Sequence, residues 1–132
     1  MKALDTNVLI RFLVRDDEKQ AAEVKQILVN AEKNNEQFFM PLVVTLETMW
    51  VLSSAYDYSR KEIVDAFDGL LSLPVLLLED HACIATLCRK AHTSEMGFSD
   101  LLIGIIAHER GCATTMTFDK KASRSEFFTL IE

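Results

Sequence analysis

A chain of 132 residues, 49% of them hydrophobic, is long enough for one sizeable core and too apolar for disorder. Its 20 acidic and 14 basic residues leave a formal net charge of −6, which argues against a uniformly basic nucleic-acid binder. No apolar run reaches the length of a membrane span, no glycine-rich phosphate loop occurs, and Cys83, Cys88 and Cys112 lack zinc-site spacing.

Residues 2–4 read as a short strand and residues 7–14 as a helix. Residues 18–34 form a long amphipathic helix, with Ala22, Val24, Ile27, Leu28 and Ala31 supplying most of its apolar side and Asp16 or Asp17 as its cap. Residues 37–40 follow as a strand. Residues 43–55 read as a largely apolar helix after Pro41, with the Thr45 hydroxyl bonded within its first turn. Ser59 followed by Glu62 is a capping-box pattern, opening a helix that runs to about Leu71 and stops before Pro74. The continuous apolar run 75–78 predicts a strand buried on both faces. Asp80 is placed to cap a helix over 81–92. Ser99 precedes a helix over 100–110 that ends at Gly111, the residue preferred just past a helix. Residues 112–116 and 127–131 read as the last strands.

Strands separated by helices imply parallel pairing and an α/β sandwich. Residues 1–132 are expected to form one domain. The start has no signal-peptide layout, because Asp5 arrives before any apolar segment, and the three cysteines read as small core residues. Both features predict a cytoplasmic, reducing location.

Four carboxylates stand in apolar surroundings. Asp5 ends Ala3-Leu4, Glu47 interrupts the run 41–52, Asp100 opens the run 101–107, and Asp119 follows Met116-Thr117-Phe118. Such positions predict burial, and buried carboxylates need a partner. No comparably placed Lys or Arg is at hand, so the expected partner is a hard divalent cation, Mg²⁺ or Mn²⁺. Asp5 and Asp119 fall just past strand ends, where α/β sheets build their sites, and Glu47 and Asp100 lie near helix beginnings. All four are expected to meet in one pocket. Arg11 and Arg15 follow Asp5, and Lys120, Lys121 and Arg124 follow Asp119. These bases read either as contacts to a phosphate backbone or as a solvated charged face. His81, His92 and His108 are scattered and read as structural or exposed. Trp50 reads as core or as a dimer contact, Phe38-Phe39 and Phe127-Phe128 as core, and Glu79-Asp80 as capping residues.

Leu4-Asp5-Thr6-Asn7-Val8-Leu9 resembles the opening motif of PIN-domain ribonucleases. The segment 44–52 around Glu47 resembles their second acidic position, Phe98-Ser99-Asp100-Leu101 their third, and Thr115-Met116-Thr117-Phe118-Asp119 their closing Thr-x-Asp. The motifs occur in family order over nearly the whole chain, and the short length resembles the VapC-like toxin branch. That resemblance implies a three-layer α/β sandwich with a short, mostly parallel sheet of four or five strands flanked by helices. It also implies Mg²⁺- or Mn²⁺-dependent endoribonuclease activity on RNA such as tRNA or rRNA, inhibition by an antitoxin protein, and a homodimer. On this reading Asp5 and Asp100 are direct metal ligands. Asp119 binds metal directly or through water, and Glu47 completes the shell or positions the attacking water. Thr6, Asn7 and Thr117 orient the acids, with a helix N-cap as the alternative for Asn7. Arg11, Lys120, Lys121 and Arg124 are the candidate RNA contacts. The rivals are a non-toxin nuclease of the family, a catalytically silent RNA- or protein-binding scaffold, a phosphatase and a signalling receiver. The phosphatase wants an acid where Asn7 stands, and the receiver wants a lysine where Asp119 stands.

Overall fold

Backbone hydrogen bonding in the computed structural model, which describes all residues Met1–Glu132, sorts the chain into strands and helices that alternate as expected. In order they are β1 (Lys2–Ala3), α1 (Thr6–Val14), α2 (Glu18–Lys33), β2 (Phe38–Met40), α3 (Leu42–Tyr56) and α4 (Arg60–Leu71). Then come β3 (Leu76–Leu78), α5 (His81–Ala91), α6 (Phe98–Glu109), β4 (Thr115–Thr117), a 3-10 turn (Ala122–Arg124) and β5 (Phe128–Leu130). The chain divides into two compact units, Met1–His81 and Ala82–Glu132.

In the first unit, β1, β2 and β3 form a parallel sheet in that order, with Lys2 opposite Phe38 and Phe38 opposite Leu76. The Leu4 N–H donates to the Phe39 carbonyl at 2.9 Å, so pairing carries the chain to the threshold of Asp5. Helix α1 packs on α2 and α3, α3 packs on α4, and α4 packs on β3. Met40, Met49, Leu52, Ile63, Val64 and Phe67 are almost completely buried and form the core of this unit. Helix α2 buries Ala21, Val24, Leu28 and Ala31, a helical stripe that leaves Ala22 and Ile27 exposed, contrary to expectation. Its N-cap is Asp17, whose carboxylate accepts from the Gln20 N–H at 3.0 Å.

The capping box at α4 is complete. The Ser59 hydroxyl accepts from the Glu62 N–H, and Glu62 accepts from the Ser59 N–H. Glu79 does cap a helix, but a distant one: its carboxylate accepts from the Leu42 N–H at 2.8 Å, at the start of α3. The Thr45 hydroxyl, expected to bond within that first turn, is buried without a partner. In β3 only Leu76 and Leu78 are buried. Leu77 points to the other face of the strand and is exposed, so this strand is not covered on both sides.

In the second unit, β4 and β5 pair in parallel, with Thr115 opposite Phe128 and Thr117 opposite Leu130. All strand pairs are therefore parallel, as an α/β fold requires. The strands form a three-stranded and a two-stranded sheet rather than the single sheet expected. Helix α5 buries Cys83, Ile84, Leu87, Cys88 and Ala91, and α6 buries Leu101, Leu102, Gly104 and Ile105. A Cβ at Gly104 would lie 2.7 Å from both Phe127 Cβ and Phe128 Cε2, so the missing side chain is what lets these residues lie against α6. Helix α6 closes on Gly111 at φ +90°, with the Gly111 N–H on the His108 carbonyl and the Cys112 N–H on the Ala107 carbonyl, each at 3.0 Å. That is the Schellman arrangement. It leaves Cys112 exposed rather than in the core. No helix is long and apolar enough to cross a membrane.

Candidate active site

Asp5 and Glu47 belong to the first unit, Asp100 and Asp119 to the second. All four are exposed, which corrects the expectation that they are buried. The apolar run 41–52 misled because α3 is apolar on its outward side as well. Val43 and Trp50, one turn to either side of Glu47, are 70% and 68% exposed. Trp50 is therefore not core.

Asp5 has extended backbone and is the N-cap of α1; its Oδ1 accepts from the Thr6 N–H at 2.7 Å. Asn7 is thus not the cap but an exposed residue inside the first turn of α1. The Oδ2 atom of Asp5 has no hydrogen-bond partner. Glu47 accepts no hydrogen bond and enters no ion pair. The neighbouring hydroxyls of Thr6, Thr45 and Thr48 are buried and unpartnered.

Arg11 is occupied within the unit. Its Nε donates to Gln20 Oε1 at 2.7 Å and its Nη1 to Asp16 Oδ1 at 3.1 Å. Tyr56 at the end of α3 donates its hydroxyl to Asp16 Oδ2 at 2.7 Å. The Tyr56 hydrogen bond and then the Arg11 charge hold the Asp16 carboxyl below the usual carboxylate range. Arg11 is thereby a clasp among α1, α2 and α3 as it stands.

Asp100 sits in the first turn of α6, where the helix dipole favours an anion, and accepts no hydrogen bond. The helix begins one residue before Ser99, with Gly97 as its N-cap. Asp119 follows β4. Its N–H donates to Thr117 Oγ1 at 3.0 Å, so Thr117 fixes the backbone that carries the acid. Asp119 Oδ1 accepts from the N–H groups of Lys121 at 2.8 Å and Ala122 at 3.3 Å, leaving Oδ2 open. Phe118 beside it is 79% exposed. Lys120, Lys121 and Arg124 are all at the surface.

None of the four acids is neutralised by a Lys or Arg. Open, anionic, all-oxygen donors fit a hard cation such as Mg²⁺ or Mn²⁺, which takes one or two protein carboxylates and completes its shell with water. Within neither unit do three or more His, Cys, Asp or Glu side chains gather as a ready metal cluster. His81 Nε2 lies 3.3 Å from the Leu71 carbonyl, and the His108 ring lies 5.5 Å from that of Phe127.

A family model described as PIN domain matches residues 2–127. The chain belongs to the PIN-domain family, and the match runs through both units. Among curated proteins it is similar to a VapC ribonuclease of Aquifex aeolicus (strain VF5), at 25% identity over 130 residues, covering 98% of this chain and 96% of that protein. No solved structure gives a significant match.

Proposed function

We propose that this chain is a metal-dependent endoribonuclease and the toxin of a toxin–antitoxin pair. The observation that carries the reading is the set of acidic motifs, in family order inside the PIN match, whose carboxylates are all exposed and unneutralised. The likeness to a VapC ribonuclease supports RNA as the substrate and an antitoxin as the partner. Structured RNAs such as tRNA or rRNA, a homodimer and a cytoplasmic location complete the proposal. Residues 1–132 then work as one domain, because the family match crosses the division at His81–Ala82.

Asp5 and Asp100 would hold the ion, and Asp119 would do so directly or through water. Glu47 would complete the shell or position the attacking water. A bound Mg²⁺ or Mn²⁺ supplies polarisation of the scissile phosphate and a water of lowered pKa. Thr117 sets the position of Asp119 through its backbone, and Thr6 fixes Asp5 through the N–H at its cap. Asn7, exposed one residue further on, orients the same carboxylate or its waters. Lys120, Lys121 and Arg124 receive the RNA backbone, and so does Arg11, whose Nε and Nη1 are held by Gln20 and Asp16.

Incubation with a mixed RNA pool tests the reading. Wild type should shorten the RNA with Mn²⁺ and not with EDTA, and Asp5→Asn, Glu47→Gln, Asp100→Asn and Asp119→Asn should each reduce cutting to background. An RNA pool that shifts in a gel but keeps its length would mark a binder. Metal-dependent cutting that survives Asp5→Asn would overturn the site.

A further inference from the structure

Within the second unit, the turn 93–96 before α6 and the turn that follows Asp119 line an open cavity of about 250 Å³. Its walls carry Lys121, Arg124, Thr93, Ser94, Ser125 and Glu95. We propose that this cavity is a phosphodiester-binding subsite for a single strand of RNA. The proposal rests on the nuclease reading and names where, beyond the acids, the strand is held.

Charge selects the ligand. Lys121 and Arg124 line the cavity and enter no ion pair within the chain. Glu95 on the wall brings the balance to a single positive charge. A phosphodiester supplies the negative charge that such a wall attracts. The hydroxyls are prepared for the same task. Ser94 Oγ accepts from the Met96 N–H at 3.1 Å, and Ser125 Oγ accepts from the Phe127 N–H at 3.3 Å. With the oxygen engaged as acceptor, each hydroxyl has its own proton to donate, and a phosphate oxygen takes it. The cavity is smaller than the usual pocket for a drug-sized molecule, which suits a backbone group rather than a whole nucleotide. Asp119 anchors the cationic side, because its Oδ1 accepts the N–H of Lys121 itself at 2.8 Å. The acid that is proposed to work at the scissile bond thus also fixes the backbone of a residue proposed to hold the strand. Lys120 does not line the cavity.

The test uses the full chain in EDTA, where cutting is off, and the anisotropy of an end-labelled, short single-stranded RNA. Lys121→Ala/Arg124→Ala should raise Kd about tenfold, equally for A-rich and U-rich strands, since a phosphate contact reads no base. It should also lower the slope of log K against log salt by about 0.7, the contribution of one phosphate on a single strand. Glu95→Gln should tighten binding. The exposed substitutions leave the core intact, and an unchanged melt confirms that. A wild type that binds no RNA, a double variant that binds like wild type, a loss confined to one base composition, or a Glu95→Gln variant that binds more weakly would each overturn the subsite. Because no metal is present, binding is read apart from cutting, and failure of the subsite can be told from failure of the nuclease reading. A chain that never cuts RNA but loses binding in the double variant keeps the subsite, and a chain that cuts while the double variant binds normally loses the subsite alone.

Discussion

On the proposed reading Asp5 would divide its carboxylate between two tasks, and the division can be measured. Oδ1 caps α1 through the Thr6 N–H, while Oδ2 is open for a cation. Asparagine caps a helix about as well as aspartate, because the capping atom is a neutral-tolerant acceptor oxygen. It is a poor ligand for a hard cation. Asp5→Asn should therefore melt within about 0.5 kcal/mol of wild type while losing metal-dependent cutting, whereas Asp5→Ala should lose the cutting and about 1 kcal/mol of stability as well. A chemical denaturation series on the three proteins decides it. If Asn costs as much stability as Ala, the oxygen is not acting as a cap and the division fails. The same logic explains why Asp119 is held twice, by Thr117 from behind and by its own grip on the following turn. A side chain presented to solvent for chemistry needs its backbone fixed by its neighbours.

Helices and strands were legible wherever their signals are local. The Ser59–Glu62 box and the Gly111 ending are written within a few residues, and both occur as read. What could not be read comes from residues far apart in the chain. Glu79 caps a helix that begins 37 residues earlier, a partnership that no window of sequence contains. The outward apolar side of α3 was equally hidden, because a helix apolar all round gives no clue to which side is covered. Gly69 and Gly104 show how context sets the sign of one substitution. Both lie inside helices, but a Cβ at Gly69 would meet nothing within 4 Å, while at Gly104 it would meet Phe127 and Phe128 at 2.7 Å. Gly69→Ala should stabilise by about 0.5–1 kcal/mol, by restricting the unfolded chain and favouring the helix. Gly104→Ala should destabilise by about 1–3 kcal/mol through overpacking. Urea melts of both variants test the pair, and equal signs would show that the packing at α6 is not what excludes a side chain.

At the scale of the whole chain, the order of the acidic motifs was legible and their surroundings were not. Apolar neighbours in sequence suggested burial, whereas each carboxylate lies at the surface at a helix start, on an outward helix side or after a strand. Three other carboxylates are engaged by the fold in ways that lower their pKa. In the first unit, Asp16 is lowered by the Tyr56 hydrogen bond and the Arg11 charge, and Glu62 by the Ser59 N–H. In the second, Glu126 is lowered by the hydrogen bond from Lys90 Nζ at 2.6 Å and by its charge. A carboxyl whose pKa is lower folded than unfolded binds more protons in the unfolded state over the interval between the two values. Stability is then fully present above the unfolded value, near pH 4, and is lost as pH falls through the folded one. The melting temperature should therefore hold from neutral pH to about pH 5 and fall below about pH 4. Asp16→Asn/Glu62→Gln/Glu126→Gln removes the groups that titrate and should flatten that fall, at the cost of a lower plateau near neutrality. Added salt should lower the plateau of wild type more than that of the triple variant, because these pairs are close to solvent. A triple variant whose acid limb follows that of wild type would place the sensitivity in other carboxylates, and the four exposed acids of the proposed site would be the next to substitute.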